Sequence, residues 1–149
     1  MRLKKLSAEG QLRKHKTSAR EIAELLAIVE RDLKDASQRG LSVDRRFTTA
    51  YNAALQLATI ALHAAGYRTA GRGHHWTTLH VLPEIMGLQA VKRANYLDAC
   101  RTKRNVADYD RAGEVSDIEL TEILQEVRKF RTDLIEWLKS RHPNLLSHG

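Results

Sequence analysis

The chain has 149 residues, enough for one domain with a real core. Lysine and arginine number 25 against 18 aspartates and glutamates, a net charge of +7 that favours a polyanionic partner over an acidic one. The single cysteine, Cys100, excludes an internal disulfide framework and suits a reducing compartment, and the start Met1-Arg2-Leu3-Lys4-Lys5 lacks the apolar run of a signal peptide, so a cytoplasmic protein is expected.

Residues 1–17 carry Arg2, Lys4, Lys5, Arg13, Lys14, His15 and Lys16 around three leucines, which reads as a mobile basic arm or a short leading helix. Ser18 and Glu21 match a capping box, and Ile22, Leu25, Leu26, Val29 and Leu33 follow at helical spacing, with Gly40 as the expected stop. A second helix starts at Ser42. Phe47, Tyr51, Ala54, Leu55, Ala58 and Leu62 line one apolar face, while Ala50, Leu57, Ile60, Ala61 and Ala64 nearly make another. A helix apolar on two sides belongs in the middle of a bundle. The run from Phe47 to Tyr67 holds no charged side chain, yet its threonines, Asn52, Gln56 and His63 make it too polar for a lipid span, and no membrane partner is expected. Gly66 ends it.

The stretch 66–75 combines three glycines with Arg68, Arg72, His74 and His75, a candidate anion-binding rim as well as a plain interhelical loop. It lacks the Gly-Lys-Ser/Thr end of a phosphate-binding P-loop. His75 and His80 are five apart, which does not align them on one helical face, so no metal is expected and His75 or His80 is read as a helix-facing residue satisfied by backbone; no cofactor is expected. Trp76–Met86 is a short helical stretch interrupted by Pro83 and ended by Gly87, and a helix over 88–110 follows. Ser116 and Glu119 form a second capping box ahead of the stripe Leu120, Ile123, Leu124, Val127, Leu134 and Leu138, which His142-Pro143 terminates. No strand pattern of useful length is present. The expected fold is all-α, an antiparallel four- to five-helix bundle, with a basic arm over 1–17, the helical domain over 18–141 and a tail over 142–149.

The densest chemistry lies in Arg101-Thr102-Lys103-Arg104-Asn105-Val106-Ala107-Asp108-Tyr109-Asp110. Arg104 falls in line with Ala90, Leu97 and Cys100 on an inward face, so its guanidinium needs a partner. Asp108, four residues on, offers an ion pair of roughly 0.2–0.5 kcal/mol, the purely architectural reading. The small-residue face Ala90, Ala94, Leu97 and Cys100 allows close helix approach within the bundle or between protomers. Cys100 itself reads as a packing residue.

Arg104-Asn105 followed by Tyr109 near a helix end, in a small helical chain, resembles the HEPN family (higher eukaryote and prokaryote nucleotide-binding domains). The resemblance spans about Ser18 to Leu138, and the segments 65–68 and 71–76 resemble one prokaryotic branch. Many members are metal-independent ribonucleases, and some are toxin partners of nucleotidyltransferase antitoxins. Arg104, Asn105 and Tyr109 would then be the catalytic set, with Tyr109 where the family's catalytic His stands. Arg101, Lys103, Arg68, Arg72, His74 and His75 would bind nucleic acid. The implied reaction is attack of a ribose 2′-hydroxyl on its own phosphate, which needs a base, an acid and a cation. Arg104 suits the cation role. Tyr109, with a phenol pKa near ~10, suits stacking or hydrogen bonding better than proton transfer. The expectation is an RNA- or nucleotide-binding protein with weakened ribonuclease activity, acting as a homodimer with a shared cleft. The alternative is a catalytically silent module that engages a cognate protein partner, as in a toxin–antitoxin pair.

Overall fold

The computed structural model describes residues 2–71, 73–106 and 113–146. Its helices are α1 (Arg2–Ala8), α2 (Ala19–Ala36), α3 (Val43–Ala64), α4 (His74–His80), α5 (Leu82–Met86), α6 (Val91–Asn105) and α7 (Asp117–Arg141), with two strands, β1 (Leu12–Lys14) and β2 (Tyr67–Thr69). This is the expected all-α bundle, carried by the long helices α2, α3, α6 and α7. No helix among the described residues is long and apolar enough to cross a membrane.

Helix α3 is the centre. Phe47, Ala50, Tyr51, Ala53, Ala54, Leu57, Ala58, Ile60, Ala61 and Leu62 are all buried, so the two apolar faces read from the sequence join into one broad buried face, beside a partly open stripe through Thr48, Asn52, Leu55 and Thr59. Helices α2, α4, α5, α6 and α7 and strand β2 all pack on it. Alanine at five of those positions removes side-chain bulk and lets neighbours approach from several directions.

The helix starts follow the sequence signals. Ser42 accepts from the Arg45 backbone N–H at 3.1 Å. Ser116 and Glu119 complete a reciprocal capping box, at 3.1 and 3.0 Å. Ser18 caps α2 through the Glu21 N–H at 3.1 Å, but the Glu21 carboxylate is taken up by His15 and Thr17. The stop expected at Gly40 is a correction: α2 ends at Ala36, and its last carbonyls are met by the Ser37 backbone N–H, with Ser37 in ordinary right-handed geometry. Gly66, at φ +96°, does follow the end of α3, in the left-handed region that other side chains avoid. Pro83 sits in the first turn of α5, where no backbone donor is lost.

The leading segment departs from the sequence reading in one respect. Residues 2–8 form a helix, and Leu12–Lys14 then pair antiparallel with Tyr67–Thr69, in the register Leu12↔Thr69, Arg13↔Arg68 and Lys14↔Tyr67. Three-residue strands are too short to show an alternating pattern, so no strand could be read there from the residues alone. Leu3, Leu6 and Leu12 bury themselves against Leu62 and Val81 in a small second core. At the other end, Pro143–Leu146 turn back as a 3-10 helix that buries Leu145 against the main core.

Ala90, Ala94, Leu97 and Cys100 are buried within the single chain, so this face serves packing inside the bundle. Cys100 is a packing residue: burial is the first cause that pushes its thiol up to about 12. Helix α6 is tied to α7 by Arg93. Its guanidinium donates to Glu126 at 2.6 Å and to Asp133 at 2.9 Å and lies 4.8 Å from the centre of the Phe130 ring. Arg93 is largely buried, while Glu126 and Asp133 are partly open to solvent. Arg93→Ala should therefore lower stability by about 2 kcal/mol, below the full value for a buried pair, and Arg93→Met should recover part of it by keeping an apolar stem over Phe130. Urea unfolding of both variants measures the difference.

Candidate functional site

Four of the residues singled out in the sequence come together where α4 crosses α6. Arg101, Arg104 and Asn105 occupy the last turn and a half of α6, and His75 the first turn of α4. The two arginines are close enough to His75 that their charges act on its ring. Burial is the larger cause and the arginines and His74 add to it; together they hold the His75 pKa below its ordinary 6.5. Arg104 donates from Nη1 to Asn105 Oδ1 at 3.2 Å, so the Arg-Asn pair is a hydrogen-bonded unit.

Beneath His75 lies a residue the sequence reading had placed only in the core. The Tyr51 hydroxyl is 3.3 Å from His75 Nδ1, and the Tyr51 side chain is fully buried. Burial, against the opposing charges of Arg101 and Arg104, pushes the phenol up to about 12. It is therefore protonated throughout the neutral range and can donate to Nδ1, which favours the neutral tautomer with hydrogen on Nε2.

Asp98 organises the other side. It accepts from Arg101 Nε at 2.9 Å through one oxygen, and its second oxygen lies 3.5 Å from His80 Nε2. The His80 ring is stacked on the partly exposed Trp76 at 4.2 Å between centres. His75 thus meets the Tyr51 side chain and His80 stands beside Asp98, each on another helix, where the sequence reading had looked to backbone for one of them. The signal that could have found Asp98 is its spacing three residues before Arg101. Tyr51 had no local signal, because its partner is 24 residues away.

The other expected ligands are placed elsewhere. Lys103 turns to the start of α7, with Nζ 3.5 Å from Glu119 Oε2. Arg68 is exposed on β2, and its charge acts on His63. His74 is exposed at the first position of α4, beside His75. Arg72, Asp108 and Tyr109 lie outside the described residues. A groove of about 540 Å³ between α6 and α7, lined by Arg93, Tyr96, Lys129 and Trp137 among others, shares no lining residue with the cluster.

A second polar cluster sits at the far end of α3. His15, Thr17, Glu21 and His63 meet there, with His15 Nε2 at 2.7 Å, Thr17 Oγ1 at 2.6 Å and His63 Nδ1 at 3.0 Å from Glu21 Oε1. The His15 and His63 rings are 4.5 Å apart. Burial would raise the Glu21 carboxyl, but the Thr17 and His15 hydrogen bonds and the charges of His63 and His15 outweigh it and hold the pKa below 4.5. None of these residues entered the sequence-based site.

No family model, no curated protein and no solved structure matches the chain.

The Asp98 hub makes an acid-sensitive contribution to stability. Burial raises its carboxyl, and the hydrogen bond from Arg101 together with the nearby Arg101 and His80 side chains more than reverses this, leaving the folded pKa below 3.8. A depressed carboxylate stabilises fully above the unfolded value and loses that contribution as pH falls through the folded one. Asp98→Asn should cost a few tenths to about 1 kcal/mol at pH 7, and that cost should shrink as pH falls through the carboxylate range, as measured by parallel thermal melts.

Proposed function

We propose that this chain binds RNA or a nucleotide through a phosphate-recognition site formed by Arg101, Arg104, Asn105 and His75, in the manner of the HEPN-like proteins that its Arg-Asn motif resembles. The observation that carries this reading is the packing of α4 on α6, which brings the charges of Arg101 and Arg104 to bear on the His75 ring. A loop expected to bind anions and a helix end expected to do the same, far apart in sequence, supply one cluster. A guanidinium presents a rigid fork to two phosphate oxygens, and the neutral imidazole offers its outward N–H beside it. Trp76, exposed and already stacked on His80, supplies an aromatic face one residue from His75. The net charge of +7 adds long-range attraction for a polyanion.

The roles filled by described residues here are those of cation and hydrogen-bond donor. This favours binding, with cleavage by 2′-hydroxyl attack as a weakened accessory activity in which Arg104 carries the developing phosphorane charge. A homodimer that sets two such sites side by side belongs to the same reading, and light scattering at tens of micromolar tests it.

RNA affinity should fall with ionic strength by roughly 0.7 log units per contacted phosphate per log unit of salt. Arg104→Lys keeps the charge and loses the fork, so it should weaken binding while melting like the parent. Fluorescence anisotropy on a mixed single-stranded RNA pool at 50 mM salt measures both, and unchanged binding by a folded Arg104→Ala protein would discard the site.

Proton linkage gives a second readout. The groups facing His75 are Arg104, Arg101, His74 and Tyr51, and in the free protein they and burial favour the uncharged ring. A bound phosphodiester favours the charged ring, so binding takes up a proton and affinity should rise as pH falls from about 7.5 to 5.5. His75→Gln should flatten that slope. An unaltered slope in the variant would remove His75 from the phosphate site.

A further inference from the structure

We propose that His15, Glu21 and His63 form a binding site for a first-row divalent transition-metal ion, with zinc as the leading candidate. Among the described residues, this is the group of metal-ligating side chains whose donor atoms all lie within 4.8 Å of one another. The histidines are not the ones whose spacing raised the question of zinc in the sequence, and the ligands come from three separate elements.

Each ligand is held by backbone structure independent of the cluster. The His15 backbone N–H donates to Gly66 O at 2.8 Å, which continues the β1–β2 ladder and brings His15 to the end of α3. His63 belongs to the last turn of α3. Glu21 is in the first turn of α2, where Ser18 caps its N–H. The Thr17 hydroxyl, 2.6 Å from Glu21 Oε1, orients the carboxylate as supporting groups around metal ligands do.

The spacing suits an ion. Ligand bonds of about 2.0–2.2 Å leave neighbouring donors roughly 2.9–3.4 Å apart, from octahedral to tetrahedral arrangements. The two nitrogen–oxygen separations are 2.7 and 3.0 Å, so a shift of a few tenths of an ångström opens the site. His63 Nδ1 is a buried atom that makes no hydrogen bond among the described residues, although it stands 3.0 Å from the carboxylate oxygen. It is near enough to share an ion with that oxygen and is not aligned to donate to it. Two imidazoles and one carboxylate form a donor set for zinc and its neighbours in the first row rather than for calcium or magnesium, which prefer oxygen. Side-chain exposures of 23% for His15, 34% for Glu21 and 15% for His63 leave room for entry and for water in the remaining positions. The positive charge of Arg68 acts on His63 and opposes an ion, but Arg68 is itself exposed and screened, and the carboxylate lies in direct contact.

An ion here would join the leading segment to α2 and α3 at one point. It would bind only the folded chain and so raise its stability by mass action. The test uses the untagged full-length protein stripped with EDTA. Titration with zinc chloride in a calorimeter should give one site per chain with a dissociation constant of about 10 μM or tighter, and the melting temperature should rise with zinc concentration. Cobalt(II) should produce visible d–d absorption with the same stoichiometry. His15→Ala and Glu21→Gln should each weaken binding at least about tenfold (roughly 1.4 kcal/mol) while melting as cooperative folded proteins without metal, and His142→Ala should bind like the parent. His63→Ala is expected to behave like His15→Ala, and should it fail to fold, the His15 and Glu21 variants decide alone. No zinc binding at 100 μM, or binding that survives in both His15→Ala and Glu21→Gln, would overturn the proposal.

Discussion

The structure depends on a helix that is covered by neighbours over most of its circumference. From Phe47 to Leu62, a narrow stripe through Thr48, Asn52, Leu55 and Thr59 stays partly open; α3 otherwise packs against five other helices and a strand, and its side chains carry no charge. A polar atom in such a position must find a partner or forfeit its hydration, a loss of several kcal/mol in an apolar surround. Two residues of α3 bring such atoms. The hydroxyl of Tyr51 is met by His75, and His63 is met by Glu21 and His15. Each encounter draws further groups with it, Arg101 and Arg104 at one end and Thr17 at the other. These two polar clusters are thus consequences of one packing constraint, set about 18 Å apart along the helix axis.

Much of the architecture was legible because it is local. Ser18, Ser42 and Ser116 cap the helices the sequence assigned to them, and Gly66 and Gly87 stand where helices end. The two apolar faces of α3 announced its central place. Where reading failed, a distant partner had changed the use of a residue. Glu21 has the spacing of a capping carboxylate, yet a histidine from the leading segment and another from α3 claim it. Gly40 looks like a stop, but Ser37 had already closed the helix. Lys103 sits among cations in sequence and beside Glu119 in space.

The candidate site divides in the same way. Arg104 and Asn105 were identifiable as an adjacent pair, and their place at the end of α6 follows from the helix pattern. That His75 would join them could not be read, because it depends on how the short helix α4 lies across α6. The same crossing sets Trp76 and His80 against Asp98, giving the cluster an aromatic edge and a carboxylate that restrains one of its two arginines. Of the two guanidiniums, Arg101 is committed to Asp98, and Arg104 is bonded to the amide next to it in the chain.

The pairing of β1 with β2 bears on the order in which the chain assembles. Arg13 and Arg68 face each other across a two-stranded ribbon, and like charges directly opposite oppose the pairing. Ribbons of this size are not stable alone, and this one closes a loop that contains α2 and α3 entire. Its partners, Leu62 and Val81, are in place only once α3 and the turn after α4 have docked. The leading segment is accordingly the last part of the protein to close during folding and the first to open in native fluctuations, so its amides should exchange with solvent ahead of those in the bundle it covers.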